Sequence, residues 1–293
     1  MAEDLRSLNN PLCVLAECPL WKEDEQCLYW TDIIGCRVWR YDPKSGKSEV
    51  VWSGDMQVGG LAFCEDGALL LAGDKGVFKL HRNRRRLQLL CEVELAVDER
   101  FNDVTTDPAG RVLAGTMRSN LRNGRLFLLE QGRKPVCLLE GLGISNGMGF
   151  SSDLKFFYHT DSVPRTITQY RYDLKSGRIS NGRIWYKTDE KDGCPDGMTV
   201  DSEGCIWTAC WGAGCIIRLD SDGKELSRIS VPALQVSSVT FGGPQYNTLY
   251  ITTAAKDAVD LQTGCDARER FLGGRIYEMD CETIGRRAWP ARF

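Results

Sequence analysis

The chain has 293 residues, 42 % hydrophobic and 26 % charged, enough apolar material for a large soluble core. Lys and Arg number 37 against 40 Asp and Glu, a net charge of −3, so no global field draws the chain to nucleic acid or to a membrane surface. No apolar run approaches the ~18 residues that span a bilayer.

The polar stretch Met1 to Asn10 has no apolar segment of the kind that starts a secretory signal. With 13 cysteines, an odd number, and no C-x-x-C pair, the chain reads as a cytoplasmic protein with reduced thiols. Cys205, Cys210 and Cys215 are expected to be small core residues rather than zinc ligands.

In chain order, one unit recurs: a polar or glycine-rich start, an apolar strand, an acidic or glycine turn, a second apolar strand, then a basic or aromatic third strand. It begins at Glu17 (ECPLWKEDEQCLYWTD), Val58 (VGGLAFCEDGALLLAG), Asn102 (NDVTTDPAGRVLAGTM), Asn146 (NGMGFSSDLKFFYHTD), Asp196 (DGMTVDSEGCIWTACW) and Ser238 (SVTFGGPQYNTLYITT). The starts lie 41, 44, 44, 50 and 42 residues apart. Periods of ~40 to 50 residues with four short strands each mark propeller blades.

Turns such as Asp107-Pro108-Ala109-Gly110 and Asp201-Ser202-Glu203-Gly204 have tight-hairpin chemistry. The basic run Arg82 to Arg86 reads as a solvated hairpin tip. The expected fold is therefore all-β: a six-bladed β-propeller with four-stranded antiparallel blades around a central channel. No linker divides the chain, so residues 1–293 are expected to form one domain. Ring closure is expected from Leu12 to Leu15, paired with the last blade's third strand, Arg275 to Met279.

The innermost strand of each blade lines the channel, so its first residues surround one mouth. Glu17, Asn102, Asn146 and Asp196 stand at that position in four blades. Converging carboxylate and amide oxygens suit a hard divalent cation. The spacing fits a polar rim over a water-filled channel as well. Strand direction puts the second-to-third connections on the same face: Asp32 to Cys36, Met117 to Gly124, Asp161 to Thr166, Trp211 to Gly214 and the long Ala255 to Gly274, which is expected to form a rim or lid. The hairpins of Asp107 and Asp201 fall on the far face. Only His81 and His159 exist, which excludes a histidine-rich zinc site, and His159 reads as a sheet histidine.

An ordered set of segments resembles the gluconolactonase family of senescence marker protein (regucalcin), luciferin-regenerating enzyme and bacterial sugar lactonases. It runs through Glu17-Cys18-Pro19-Leu20-Trp21, Arg100-Phe101-Asn102-Asp103, Gly115-Thr116-Met117, Ser145-Asn146-Gly147, Tyr158-His159-Thr160-Asp161-Ser162, Pro195-Asp196-Gly197-Met198 and Phe241-Gly242-Gly243-Pro244.

The resemblance implies one divalent ion (Ca, Mg, Mn, Zn or Fe(II)) held by Glu17, Asn146 and Asp196, with Asn102 as an additional or water-mediated ligand. It implies substrate contacts from Arg100 and Asn102, Asp196 as general base or water anchor, and Asp161 and Trp211 either supporting the site residues from behind or forming the substrate wall.

The expected activity is hydrolysis of a sugar-acid lactone in carbohydrate oxidation, by a monomer or weak homo-oligomer. A phosphotriesterase-like hydrolase, a non-catalytic calcium-binding regulator and an interaction scaffold are the alternatives. Val104 stands where many relatives have glycine, and the loop Arg118 to Gly124 is short and basic. Arg118 and Arg122 there would favour a lactone with an anionic substituent.

Overall fold

In the computed structural model, which describes residues 5–81, 86–256 and 273–293, six four-stranded antiparallel sheets stand around a channel. Blades I to VI begin with the inner strands Ala16–Lys22, Val58–Phe63, Phe101–Thr106, Ser145–Phe150, Cys194–Val200 and Val236–Gly242. In blades I to V the strands follow one another outward in chain order. The repeat starts read from the sequence therefore fall within one or two residues of the inner strands.

Closure differs from the expectation. The outermost strand of blade VI is Arg6–Ser7, paired with Ile276–Asp280 through Arg6 opposite Glu278 and Ser7 opposite Tyr277. The more apolar Leu12 to Leu15 instead lies between blades I and VI: Cys13 N–H donates to Gly274 O, and Leu15 bridges Ala254. Its side chains are apolar because Cys13 and Leu15 are buried there, not because it pairs as the closing strand.

The core consists of six wedges, one between each pair of neighbouring blades. Successive strand residues point to opposite faces. In blade II, Leu69 and Leu71 pack towards blade I, whereas Leu70 and Ala72 pack towards blade III. A strand covered on both faces reads as a continuous apolar run, and burying each such leucine is worth about 1.5–3 kcal/mol. Outer strands face solvent on much of their surface, as in Arg178–Lys187.

On the far face, Ile284 to Phe293 crosses the ring. Ser202 N–H donates to Ile284 O, the Arg286 guanidinium to Phe150 O, the Thr106 hydroxyl to Trp289 O, and Ala291 N–H to Phe63 O. The segment thus ties blades II to V together and closes the channel on that side.

Candidate metal centre at the channel mouth

Every inner strand breaks register with its neighbour within its first few residues. The irregularities fall between Glu17 and Leu20, Val58 and Gly60, Phe101 and Asp103, Ser145 and Met148, Pro195 and Met198, and Val236 and Ser238. A bulge turns a side chain out of strict alternation. Asn102, Asn146 and Asp196 lie inside such breaks, and Glu17 opens one. Cys18, next to Glu17, takes a left-handed backbone (φ 47°), which an L-residue adopts only under constraint.

Two glycines let these strands converge. A Cβ on Gly147 would lie 2.5 Å from Asp196 O, and one on Gly197 would lie 2.0 Å from Ser238 Oγ. The glycine after Asn146 and the glycine after Asp196 bring adjacent inner strands together at the depth of the two preceding side chains.

Glu17, Asn102, Asn146 and Asp196 are all buried. Arg100 Nη1 donates to Asn102 Oδ1 at 2.6 Å, and Asn102 Nδ2 donates to Asn146 Oδ1 at 2.9 Å and Ser145 O at 3.0 Å. Since a guanidinium only donates, it fixes which end of the Asn102 amide faces which partner. Asn102 is thus a bridge from Arg100 to Asn146. Asn146 Nδ2 donates to Ser162 Oγ at 2.9 Å, whose hydroxyl donates to Pro195 O at 2.7 Å. Asn146 is held at both ends, and its Oδ1 keeps a second lone pair. Glu17 Oε2 accepts Cys18 N–H at 3.0 Å. Asp196 Oδ1 is buried without any hydrogen-bond partner.

Electrostatics set these acids apart. Burial, reinforced by the Asp103 charge, pushes the Glu17 carboxyl up to about 8 against the opposing pull of Cys18 N–H and Arg100. Burial, then the charges of Glu17 and Asp103, holds Asp196 well above the ordinary carboxylate range. Asp103 is pushed up to about 7 by burial, and Arg100 is brought down to about 10 by the same cause. Crowded, desolvated acids with an orphaned oxygen favour a cation. Two carboxylates and an amide oxygen are a hard-oxygen donor set.

Behind these residues, the far half of the channel encloses a cavity of about 130 Å³, with Asp103, Met148, Met198 and Trp289 in its wall. Drug-sized ligands occupy ~300–1,000 Å³, so this space suits water. A substrate would have to approach from the mouth.

The other candidate residues have distinct surroundings. Asp161 accepts the N–H groups of Gly143 and Ile144 at 3.0 Å. Asp32 does the same for Val14 and Leu15, and Asp74 for Gln57. Its carboxylate thus holds the backbone leading into an inner strand. Trp211 packs on Leu15, Ile33 and Ala254 at the mouth face. Arg118 is exposed on that face, with no side-chain partner among the described residues, whereas Arg122 is engaged by Glu94. His159 is buried against Ser145 Oγ at 2.7 Å. The expected lid, Ala255 to Gly274, lies mostly outside the described residues, as do Arg82 to Arg85.

Sequence reasoning gave no role to Asp103, Ser162 or Glu99. Glu99 accepts from Thr116, Arg125 and Ala96 N–H and anchors the loop leading to Arg100. Asp103 and Ser162 stand inside motifs already singled out, but only the bulges and cross-blade contacts reveal what they touch.

A family profile described as SMP-30/Gluconolactonase/LRE-like region matches residues 15–255, which include all four mouth residues. The chain belongs to this family. It is 41 % identical over 277 residues to pentonolactonase XacC of Haloferax volcanii, covering 94 % of this chain and 93 % of that one. It is 36 % identical over 255 residues to regucalcin of Xenopus laevis, covering 84 % and 85 %. Among solved structures, a calcium-binding protein, regucalcin, from Agrobacterium tumefaciens superposes with a TM-score of 0.90 at 26 % identity, over 98 % of this chain and 97 % of that one.

A second group of ligand-type side chains, Asp201, Glu203 and Cys205, lies on the far face. The Arg218 guanidinium already binds both acids there, at 2.7 Å and 2.6 Å, so that group is an ion-pair hub.

Proposed function

We propose that the chain is a divalent-metal-dependent hydrolase that opens the ring of a sugar-acid lactone. The observation that carries this reading is Asp196 Oδ1, buried without a donor beside Glu17 and Asn146 at the mouth of a family propeller. The similarity to a pentonolactonase supports the substrate class.

Glu17, Asn146 and Asp196 would hold the ion, and Asn102 would fix the Asn146 amide through their hydrogen bond. A bound divalent cation would supply Lewis acidity to the lactone carbonyl. Asp196 would take the proton of the attacking water, the ring C–O bond would break, and the released hydroxyl would regain that proton. Arg100 and Asn102 would meet substrate oxygens, Trp211 would form one wall, and Asp161 would steady the backbone before Asn146. Arg118, exposed on the mouth face, would favour an anionic lactone.

The test is an acid-release assay on metal-stripped protein, with Ca²⁺, Mg²⁺, Mn²⁺, Zn²⁺ or Fe²⁺ restored singly and neutral and phosphorylated aldonolactones compared. Metal-dependent acid release that disappears in Asp196→Asn is expected. Metal binding without turnover of any lactone would favour a calcium-binding role instead.

A further inference from the structure

We propose that Cys210 and Cys215 form a reversible dithiol–disulfide site that pins the Trp211–Gly214 hairpin at the channel mouth. They are directly opposed partners on adjacent antiparallel strands, so both side chains leave the same face of blade V. Opposed residues of antiparallel strands are ~4.5–5.5 Å apart at Cα, within the span of a disulfide. Among the described residues, no other two cysteines stand in register with each other.

The surroundings favour thiol chemistry over packing alone. The two residues face each other across the strand pair, and Arg228 Nη1 lies 3.7 Å from Cys215 Sγ. Arg228 is itself fixed by Asp192 at 2.6 Å and Glu225 at 2.9 Å. The neighbouring Cys210 thiol, assisted by Arg228 and opposed by burial, brings the Cys215 thiol down to about 7, while Cys215 and burial push Cys210 up. A thiolate beside a cation and next to a protonated thiol is an attacking and resolving pair.

No third His, Cys or carboxylate joins them within ligand distance among the described residues, which argues against a metal site. Both sulfurs are buried, so the oxidant must be small. Hydrogen peroxide fits. The Cys215 thiolate attacks one peroxide oxygen and the O–O bond breaks. The departing hydroxide takes up the proton that Cys215 released on ionising and leaves as water, and Cys215 becomes a sulfenic acid. Cys210 sulfur then displaces the sulfenic oxygen as a second water, carrying away the Cys210 proton. Two thiols lose two electrons and one peroxide is reduced to two waters.

The bond would close the hairpin whose Gly212 and Gly214 have left-handed backbones and whose Trp211 packs at the mouth. The site stands on thiol geometry, independently of the lactonase reading.

Full-length protein treated with peroxide and then with dithiothreitol tests it. Intact mass is expected to fall by two hydrogen atoms and to return on reduction. Chymotrypsin cuts after Trp211, so digestion should yield two peptides joined through Cys210 and Cys215. Amides of 212–214 should exchange more slowly in the oxidised form, and Arg228→Gln should slow the oxidation severalfold. Joined peptides absent from wild type, or a linkage through other cysteines, would overturn the proposal. So would the same mass loss in folded Cys210→Ser and Cys215→Ser variants.

Discussion

Asp196 and Asp201 belong to the same blade, five residues apart, at opposite ends of one inner strand. Asp201 is saturated: Oδ1 accepts Glu203 and Cys205 N–H, and Oδ2 accepts Trp207 Nε1 and the Arg218 guanidinium. Asp107 in blade III shows the same pattern with Arg111 and Tyr172. Asp196 has an orphaned oxygen and acidic neighbours. The far face satisfies its charges within the fold. At the mouth Asp196 Oδ1 is buried without a donor, which costs stability until a partner meets it. The two ends thus hold their acids differently, and on the proposed reading substitutions at them should fail in different ways.

The largest contrast is expected from Asp196→Asn. Lactone turnover should fall by about 10³-fold in kcat/KM, on the order of 4 kcal/mol of transition-state stabilisation. Without metal, its thermal midpoint should match or exceed that of wild type, because a buried, repelled carboxylate has been neutralised. Asp201→Ala should do the reverse, leaving Arg218 without its main partner and costing about 3 kcal/mol by denaturant titration. Turnover per folded molecule should stay near wild type. Comparable activity losses in the two variants would erase the distinction between the ends.

Smaller effects refine it. Ser162→Ala removes the hydroxyl joining Asn146 to Pro195 O. It should cost about 1 kcal/mol of stability and weaken metal binding more than it lowers kcat at saturating metal.

His159 gives the fold a pH dependence of its own. Burial lowers its pKa from 6.5 to about 3, so the folded ring stays neutral where the unfolded one takes a proton. That contribution is complete above pH 6.5 and is lost as pH falls towards 3, by up to about 1.4 kcal/mol per pH unit. In His159→Gln the slope of stability against pH between 6 and 4 should be shallower.

Much of this was legible in the sequence, for physical reasons. Both faces of each blade are buried, so strands such as Leu69–Gly73 are unbroken apolar runs, and the turns between them carry Asp and Gly. Blade register followed, and with it the positions of Glu17, Asn102, Asn146 and Asp196. Closure was misplaced because Arg6–Ser7 is short, polar and exposed, whereas Leu12 to Leu15 is apolar for a different reason. The bulges were invisible because a register break leaves no periodic trace. Asp161 stands in a segment of the family resemblance, but that its oxygens hold the backbone N–H groups ahead of Asn146 emerges only from the folded structure.

Calorimetric titration of metal-stripped wild type and Asp196→Asn with Mn²⁺, then Ca²⁺, tests the open donor set most directly. One site per chain is expected in wild type, with a gain of about 2.7 kcal/mol in stability at a hundredfold excess over Kd. Asp196→Asn should lose both the binding heat and the gain. Equal binding by the two proteins, or no binding by wild type, would contradict a metal centre at this mouth.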